Sequence, residues 1–340
     1  MQAVEGMRDA LVAVGVRGPM RARVLGGGHV HRTWLVRAEG RGYVAQRLNG
    51  HVFPDLAACD QNLRRIDDHL AGSTVVRVPR LLRGADGRVH VTDRLGQHWR
   101  ISEYAEATTG SSVVRDAGSA LLAARAFGRY VAALADLPGP PLHATIVGFH
   151  DLAWRLDQLD VAVEANQVRR LASCGAVVDL VRQLAADTAD ISGLPIRAVH
   201  NDAKVGNLRW PRRKADPIVV LDLDTTMPGS IVFDTSELLR TASHDAAEDT
   251  DDLALIRVDP EQVAAIVRGF CEGADPVLSV REIEAIVPTA SRLATENAAR
   301  MLTDHLQGDV YYRVDFASHN LLRARAQAEV ARQLLRLAGG

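Results

Sequence analysis

At 340 residues and 36.8 kDa the chain is long for one hydrophobic core and short for three domains, so two lobes are expected. Forty Lys and Arg against 42 Asp and Glu, a formal net charge of -2, exclude a generally basic nucleic-acid binder and an acidic solvating tail, and 4% aromatics leave little from which to build a base-stacking surface. Three scattered cysteines, Cys59, Cys174 and Cys271, exclude a disulfide ladder and a cysteine-based metal site, and they suit a reducing compartment. The first residues lack a basic start followed by an apolar run, so no signal peptide is expected. The least charged stretch, residues 137–149, carries three prolines and is too short to span a bilayer. A cytoplasmic protein with no membrane contact is the expectation.

In chain order, residues 21–25 read as a strand, followed by Gly26, Gly27 and Gly28; residues 33–38 and 43–48 give two more. Residues 56–70 place Leu56, Leu63, Ile66 and Leu70 at helical spacing. Pro79, Gly84 and Gly87 punctuate short strands, and residues 89–93 with 99–104 form a hairpin that ends the sheet. Beyond Ala105 the pattern turns helical, over 120–137, 152–171, 177–189, 260–270, 280–306 with an interruption at Pro288, and 321–337. A strand-rich island at 198–224 stands among them. The expectation is an α+β chain: a small β-rich N-lobe over 1–103 and a large, mainly helical C-lobe over 104–340 with a strand-loop-strand insert.

The island concentrates the polar residues. It reads Val199-His200-Asn201-Asp202-Ala203-Lys204-Val205-Gly206-Asn207, then a turn, then Ile218-Val219-Val220-Leu221-Asp222-Leu223-Asp224. An acid at the end of a buried strand costs desolvation unless it is paired or holds a cation. His-x-Asp, four residues, Asn, and then an Asp closing an apolar strand is the order of a phosphoryl-transfer catalytic loop. That chemistry needs a carboxylate to orient the acceptor hydroxyl and take its proton, and hard oxygen ligands for Mg²⁺ on the triphosphate. A solvated loop around a satisfied core histidine is the bland alternative.

HNDAKVGN followed by VVLDLDTTMPGSIVFD resembles the aminoglycoside phosphotransferase and choline kinase superfamily, relatives of the protein kinases, and within it most resembles the N-acetylhexosamine 1-kinases. The likeness runs from GHVHRTWLV and YVAQRLN through WRISEY to TENAARMLTDHLQGDVYYRV and HNLLRARAQ, nearly the whole chain. It implies a two-lobed protein-kinase-like fold, with a nucleotide-binding N-lobe and a C-lobe that holds the catalytic loop and the acceptor. The implied activity is ATP- and Mg²⁺-dependent transfer of the γ-phosphate to a sugar hydroxyl. The anomeric 1-OH of an N-acetylhexosamine is the expected acceptor. Carried over by position, Asp202 is the catalytic base, which also contacts the acceptor, His200 braces the loop, and Asn207 and Asp222 are the metal ligands. Asp224 supports the metal or the sugar, because strand alternation would point it the same way as Asp222. Lys204 contacts phosphate, neutralises Asp202, or is solvated.

In the N-lobe, Gly27, Gly28 and His29 would let backbone amides approach the phosphates. Gln46 and Arg47 occupy the central strand on opposite faces, where the phosphates need a cation. Arg47 supplies the charge, and strand alignment leaves Gln46 open. Residues 99–106 are expected to link the lobes, with backbone near Tyr104 holding adenine. In the late helix Glu296, Arg300 and Asp304 share a face; the resemblance makes Arg300 and Tyr311 hexosamine contacts, against an ordinary ion-pair ladder. Two departures stand out: His31, where relatives usually carry asparagine, and Thr235-Ser236-Glu237 after Asp234. Asp234 itself is expected to brace the catalytic loop from a helix N-terminus. Other readings are a kinase of another sugar, amino sugar or aminoglycoside, or a non-catalytic nucleotide-binding pseudokinase, which the intact Asp202, Asn207 and Asp222 oppose. A metal-dependent phosphohydrolase would want histidines at ligand spacing near these aspartates. The expected partners are a nucleotide and a sugar acceptor, and the chain is taken as a monomer or homodimer.

Overall fold

A computed structural model describes residues 2–25, 31–50, 52–213 and 216–339. The chain is α+β, with a small antiparallel-sheet N-lobe and a helical C-lobe, the protein-kinase-like arrangement. Its residues cluster into two compact units that interleave in sequence. The first comprises Met1–Ser111, Ala133–Ile146 and Asn207–Pro228, and the second Ser112–Ala132, Val147–Gly206 and Gly229–Gly340.

In the first unit, α1 (Gln2–Ala13) precedes β1 (Met20–Leu25), β2 (Arg32–Ala38) and β3 (Arg41–Arg47). Helix α2 (Leu56–His69) follows, then β4 (His90–Thr92) and β5 (His98–Glu103). These strands form one antiparallel sheet in the order β1-β2-β3-β5-β4. Glu39 and Gly40, both at positive φ, make the two-residue turn joining β2 to β3, whose handedness matches strand twist. Alternation then sends Trp34, Val36 and Ala38 of β2, Tyr43 and Ala45 of β3, and Trp99 and Ile101 of β5 to one face. Met7, Ala10 and Leu11 of α1 bury that face. Met7, Ala10 and Leu11 recur at helical spacing, a helix signal present in the sequence. Trp99 therefore lies in the sheet core, fully buried, its indole N–H donating to Asp93 at 2.8 Å, and not in the link between lobes. Helix α2 starts at its N-cap Asp55, whose carboxylate accepts from the Ala58 N–H at 2.9 Å.

A second sheet of this unit sets β6 (Thr108–Gly110), β8 (Leu208–Pro211) and β9 (Val219–Val220) in the order β6-β8-β9. Between β6 and β8 the chain forms α3 (Ala117–Ala133), α4 (Leu152–Ala165), α5 (Leu171–Ala186) and β7 (Ile196–Val199). After β9 come β10 (Met227–Ser230), α6 (Val232–Ala242), α7 (Pro260–Ala274), α8 (Val280–Gln307) and α9 (His319–Gly339).

The helix expected over 152–171 ends at Ala165, and the one expected over 177–189 begins at Leu171. Asn166 takes the left-handed conformation at φ 36°, ends α4, and accepts the Leu171 N–H on its Oδ1 at 3.1 Å as α5 begins. The interruption expected at Pro288 does not occur. Proline removes one N–H, but α8 is mostly buried from Thr289 onward and packs against α4, α5, α6 and α9, so tertiary contact outweighs the lost bond. Ser279 and Glu282 cap its start reciprocally, and Gly308 closes its end.

Candidate phosphotransfer site

In the first unit β8 and β9 pair with Leu208 opposite Val220, and the Leu221 N–H donates to the Asn207 carbonyl at 2.8 Å. Asn207 and Asp222 thus stand at the same end of one two-stranded ribbon. Both are hard oxygen donors, the type Mg²⁺ takes when it keeps waters and substrate phosphates in its shell. Among the described residues no cluster of three or more His, Cys, Asp or Glu could form an all-protein cage. The Asn–Asp pair fits an ion that arrives with a nucleotide.

The chain does not continue as a strand through Asp222. It leaves β9 at Val220, Asp222 turns left-handed at φ 59°, and Leu223–Thr225 form a 3₁₀ turn. Strand alternation therefore does not govern Asp224, correcting the premise on which the two acids were expected to point alike. Asp224 is buried, and its carboxylate meets the Arg100 guanidinium through both oxygens. The Asn49 N–H donates to His31 Nδ1 at 3.2 Å, which fixes the tautomer so that His31 Nε2–H donates to Asp224 at 3.1 Å. Burial alone would push the Asp224 carboxyl up; Arg100 and His31 hold it below the ordinary carboxylate range. A cavity of about 10 Å³ remains around the pair, room for a water at most.

Gln46 lies opposite Arg100 in the β3–β5 register, and its Oε1 accepts from Arg100 at 2.7 and 3.2 Å. Arg47 alternates to the face covered by α1 and donates to Gln97 at 3.0 Å. Of the two candidates on this strand, Gln46 shares the face of the buried Arg100–Asp224 pair. At the end of β5 the Tyr104 N–H donates to the Gly42 carbonyl at 2.9 Å, and its hydroxyl accepts from Arg209 at 2.9 Å. Gly27, Gly28 and His29 lie outside the described residues.

In the second unit the segment His200–Asn201–Asp202 is held from three sides. Asp234, in the first turn of α6, accepts the His200 N–H at 2.9 Å and the Asn201 N–H at 2.6 Å, the brace expected of it. The His200 ring lies edge-on to Phe127 and Tyr130, with ring centroids 5.3 and 5.6 Å away, and its Nδ1 accepts the Asp202 N–H at 3.3 Å. Gly229 approaches so closely that a Cβ there would stand 2.7 Å from both Asn201 Oδ1 and Val199 Cγ2. Asn201 is left-handed at φ 63°, a conformation that costs about 1–3 kcal/mol and persists where surrounding contacts over-determine it. Asp202 keeps partial exposure, and Lys204 Nζ lies 2.9 Å from its Oδ2.

A buried polar cluster adjoins this loop in the same unit. His150 Nε2 donates to the Asn201 carbonyl at 2.8 Å, and its Nδ1 stands 3.8 Å from the Glu296 carboxylate, an ion-pair distance too long for a hydrogen bond. Burial pulls His150 down, but Glu296 outweighs it and the net shift is upward. Burial pushes Glu296 up, and His150, Arg300 and Arg155 bring it below its ordinary value. Arg300 lies 5.8 Å from the centroid of the Tyr312 ring, and Arg155 stacks on Trp154 at 4.4 Å. Burial, then Arg300, lowers Arg155. His150 Nδ1, Glu296 Oε2 and Arg155 Nε find no hydrogen-bond partner among the described residues.

No Glu296–Arg300–Asp304 ladder forms. Glu296 turns to His150, Arg300 to Tyr312, and Asp304 accepts the N–H groups of Tyr311 and Tyr312 at 2.7 and 2.9 Å, fixing the turn after α8. Tyr311 is 62% exposed and packs edge-on to Tyr312. Sequence reasoning missed Arg100, His150 and Arg155. The first had a signal, a cation between apolar residues of a strand; the other two had none.

A sequence model described as the phosphotransferase enzyme family matches residues 21–279. Among solved structures, spectinomycin phosphotransferase in complex with ADP and spectinomycin matches at TM-score 0.59 and 12% identity, covering 98% of each chain. An ethanolamine kinase of Plasmodium vivax matches at TM-score 0.58 and 14% identity over 91% of this chain and 82% of that one. Amicoumacin kinase in complex with AMP-PNP and Ca²⁺ matches at TM-score 0.55 and 15% identity, over 92% and 88%. At such identities the likeness establishes a shared fold.

Proposed function

The protein belongs to the phosphotransferase enzyme family, the aminoglycoside phosphotransferase and choline kinase superfamily, and from that membership we propose that it is an ATP- and Mg²⁺-dependent kinase of a sugar hydroxyl, with the 1-OH of an N-acetylhexosamine as acceptor. The observation that carries the phosphotransfer reading is the pairing of Asn207 with Asp222 at one end of the β8–β9 ribbon. Solved relatives that hold ADP, or AMP-PNP with Ca²⁺, support a nucleotide and a divalent cation.

Asn207 and Asp222 would hold Mg²⁺, which would offset the negative charge of the nucleotide phosphates. The Gln46 Oε1 is engaged by Arg100, leaving its amide nitrogen to donate to a phosphate oxygen. Gly27, Gly28 and His29 would offer backbone amides to the phosphates, and backbone beside Tyr104 would receive adenine. Asp202 orients the acceptor hydroxyl and takes its proton as the hydroxyl oxygen attacks the γ-phosphorus and ADP leaves. Lys204 Nζ lies against Oδ2 of that carboxylate. An anomeric hydroxyl is more acidic than an ordinary alcohol, so a carboxylate of normal basicity suffices.

The charge of the cluster beside the loop supports a neutral acceptor. An amine entering there meets the Arg155 and Arg300 guanidinium groups, while the nearby carboxylates Glu296 and Glu237 are already opposed by His150 and Arg240. A neutral sugar meets donors instead, with Arg300 and Tyr311 as contacts and Asp224 in support through the metal-bearing turn.

The test is purified protein with ATP and Mg²⁺ against N-acetylglucosamine, N-acetylgalactosamine, glucosamine, other hexoses, choline and kanamycin. Phosphorylation of the N-acetylated sugars and not of the amines is expected. Transfer only to kanamycin or choline would overturn the acceptor assignment. Asp202→Asn should lower turnover about 10²–10⁴-fold while ADP still binds, and unchanged turnover would remove the base role.

A further inference from the structure

Nucleotide phosphates in a kinase-like sheet call for a cation on the central strand, commonly paired with a helix carboxylate. In this protein β3 presents the neutral Gln46 on the face concerned, and the buried acids of α2 are committed elsewhere. Asp60 accepts from the backbone and ring of His90, and Asp67 pairs with Arg80 and Arg83. The buried ion pair on this face instead joins Arg100 of β5 to Asp224, 124 residues away, in the turn that follows β9.

Resting on the kinase reading above, we infer that Arg100 is a positioning residue for the metal: through Asp224 it sets the 222–224 turn and thereby aims the Asp222 carboxylate. Every polar atom of the Asp224 carboxylate is held, by Arg100 on both oxygens and by His31 on one, and the Asp224 carbonyl accepts the Thr145 hydroxyl at 3.3 Å. Gln46 Oε1 takes two further Arg100 donors and so fixes the plane of the guanidinium. Two residues upstream, Asp222 sits left-handed at φ 59° and ψ 56°, a conformation a non-glycine residue keeps only where neighbouring contacts enforce it. Pinning the turn at Asp224 is such an enforcement. A buried ion pair is a poor device for stability alone, since apolar residues of similar volume commonly serve as well. A geometric task accounts for it better.

The test is Mn²⁺ binding by electron paramagnetic resonance, with ADP present, to the full chain. The double variant Arg100→Met, Asp224→Leu removes both charges while keeping volume, and Gln46→Leu removes the orienting acceptor together with the amide offered to phosphate, so its Mn²⁺ binding is read at saturating ADP. Cooperative thermal melting monitors folding, and ADP affinity without metal monitors the nucleotide pocket. The expected result is a Kd for Mn²⁺ at least tenfold weaker in the double variant, with metal-free ADP affinity unchanged there, and about threefold weaker in Gln46→Leu read at saturating ADP. A folded double variant within twofold of the unmodified protein overturns the inference. If the double variant does not melt cooperatively, Gln46→Leu decides, and an unchanged Kd there overturns it equally. Absence of ADP-dependent Mn²⁺ binding in the unmodified protein would overturn the kinase reading itself, an outcome distinct from failure of the Arg100 role.

Discussion

Asp234 receives two consecutive backbone N–H groups on its two carboxylate oxygens, and neither N–H has water in reach if that carboxylate is removed. Each buried donor left unmet costs about 1–3 kcal/mol. Asp234→Ala should therefore destabilise the protein by about 2–4 kcal/mol, and Asp234→Asn, which keeps one acceptor, by roughly half that. Urea unfolding with an unchanged m-value checks both; equal stability of the two variants would show that the second bond contributes nothing. His31 illustrates the same scale. The sequence comparison with its relatives marked it only as a departure, whereas its ring bridges Asn49 and Asp224 with one nitrogen each. Which polar atoms a side chain satisfies is a matter of ångströms, and nothing in local spacing encodes it.

At the scale of elements, the close passage of β10 over the end of β7 depends on Gly229. A methyl group there would overlap the side chains of Asn201 and Val199, so one of them or the strand must shift. Gly229→Ala is expected to cost about 1–3 kcal/mol and to displace Asn201, with turnover falling more than stability predicts. Faster amide exchange at Asn201 and Asp202 is the diagnostic measurement; unchanged exchange would mean the strand moves instead. The elements were the most readable part of this chain. Helices α2, α7, α8 and α9 follow the 3.6-residue spacing of Leu, Ile, Val and Ala, because burying one face imposes that period on the sequence. Where local signals misled, at Pro288 and at Asn166, the outcome turned on how many neighbours enclosed the backbone. Helix α8 is surrounded and continues; α4 emerges to an asparagine that stops it.

For the molecule as a whole, the pair of His150 and Glu296 makes stability depend on pH. His150 is raised above its ordinary 6.5, so its contribution is complete below that value and is lost as pH rises through the higher folded pKa. Glu296 is lowered below its ordinary 4.5, so its contribution is complete above that value and is lost as pH falls through the lower folded pKa. The pair therefore stabilises most between about 4.5 and 6.5. Urea midpoints from pH 5 to 9 should show a decline above 6.5 that His150→Gln abolishes. Parallel curves for the two proteins would exclude the pair as its source. By itself the sequence determined the α+β class, most helices, and the order His200, Asp202, Asn207, Asp222, since periodicity and motif order are properties of neighbouring residues along the backbone. Only the tertiary structure decided that Arg100 answers Asp224, that Gln46 and not Arg47 shares their face, and that Glu296 turns to His150 and not to Arg300. The reason is physical: a buried charge takes whichever partner desolvation and distance leave it, and for residues 124 apart in the chain that choice exists only once the sheet and its following turn have formed.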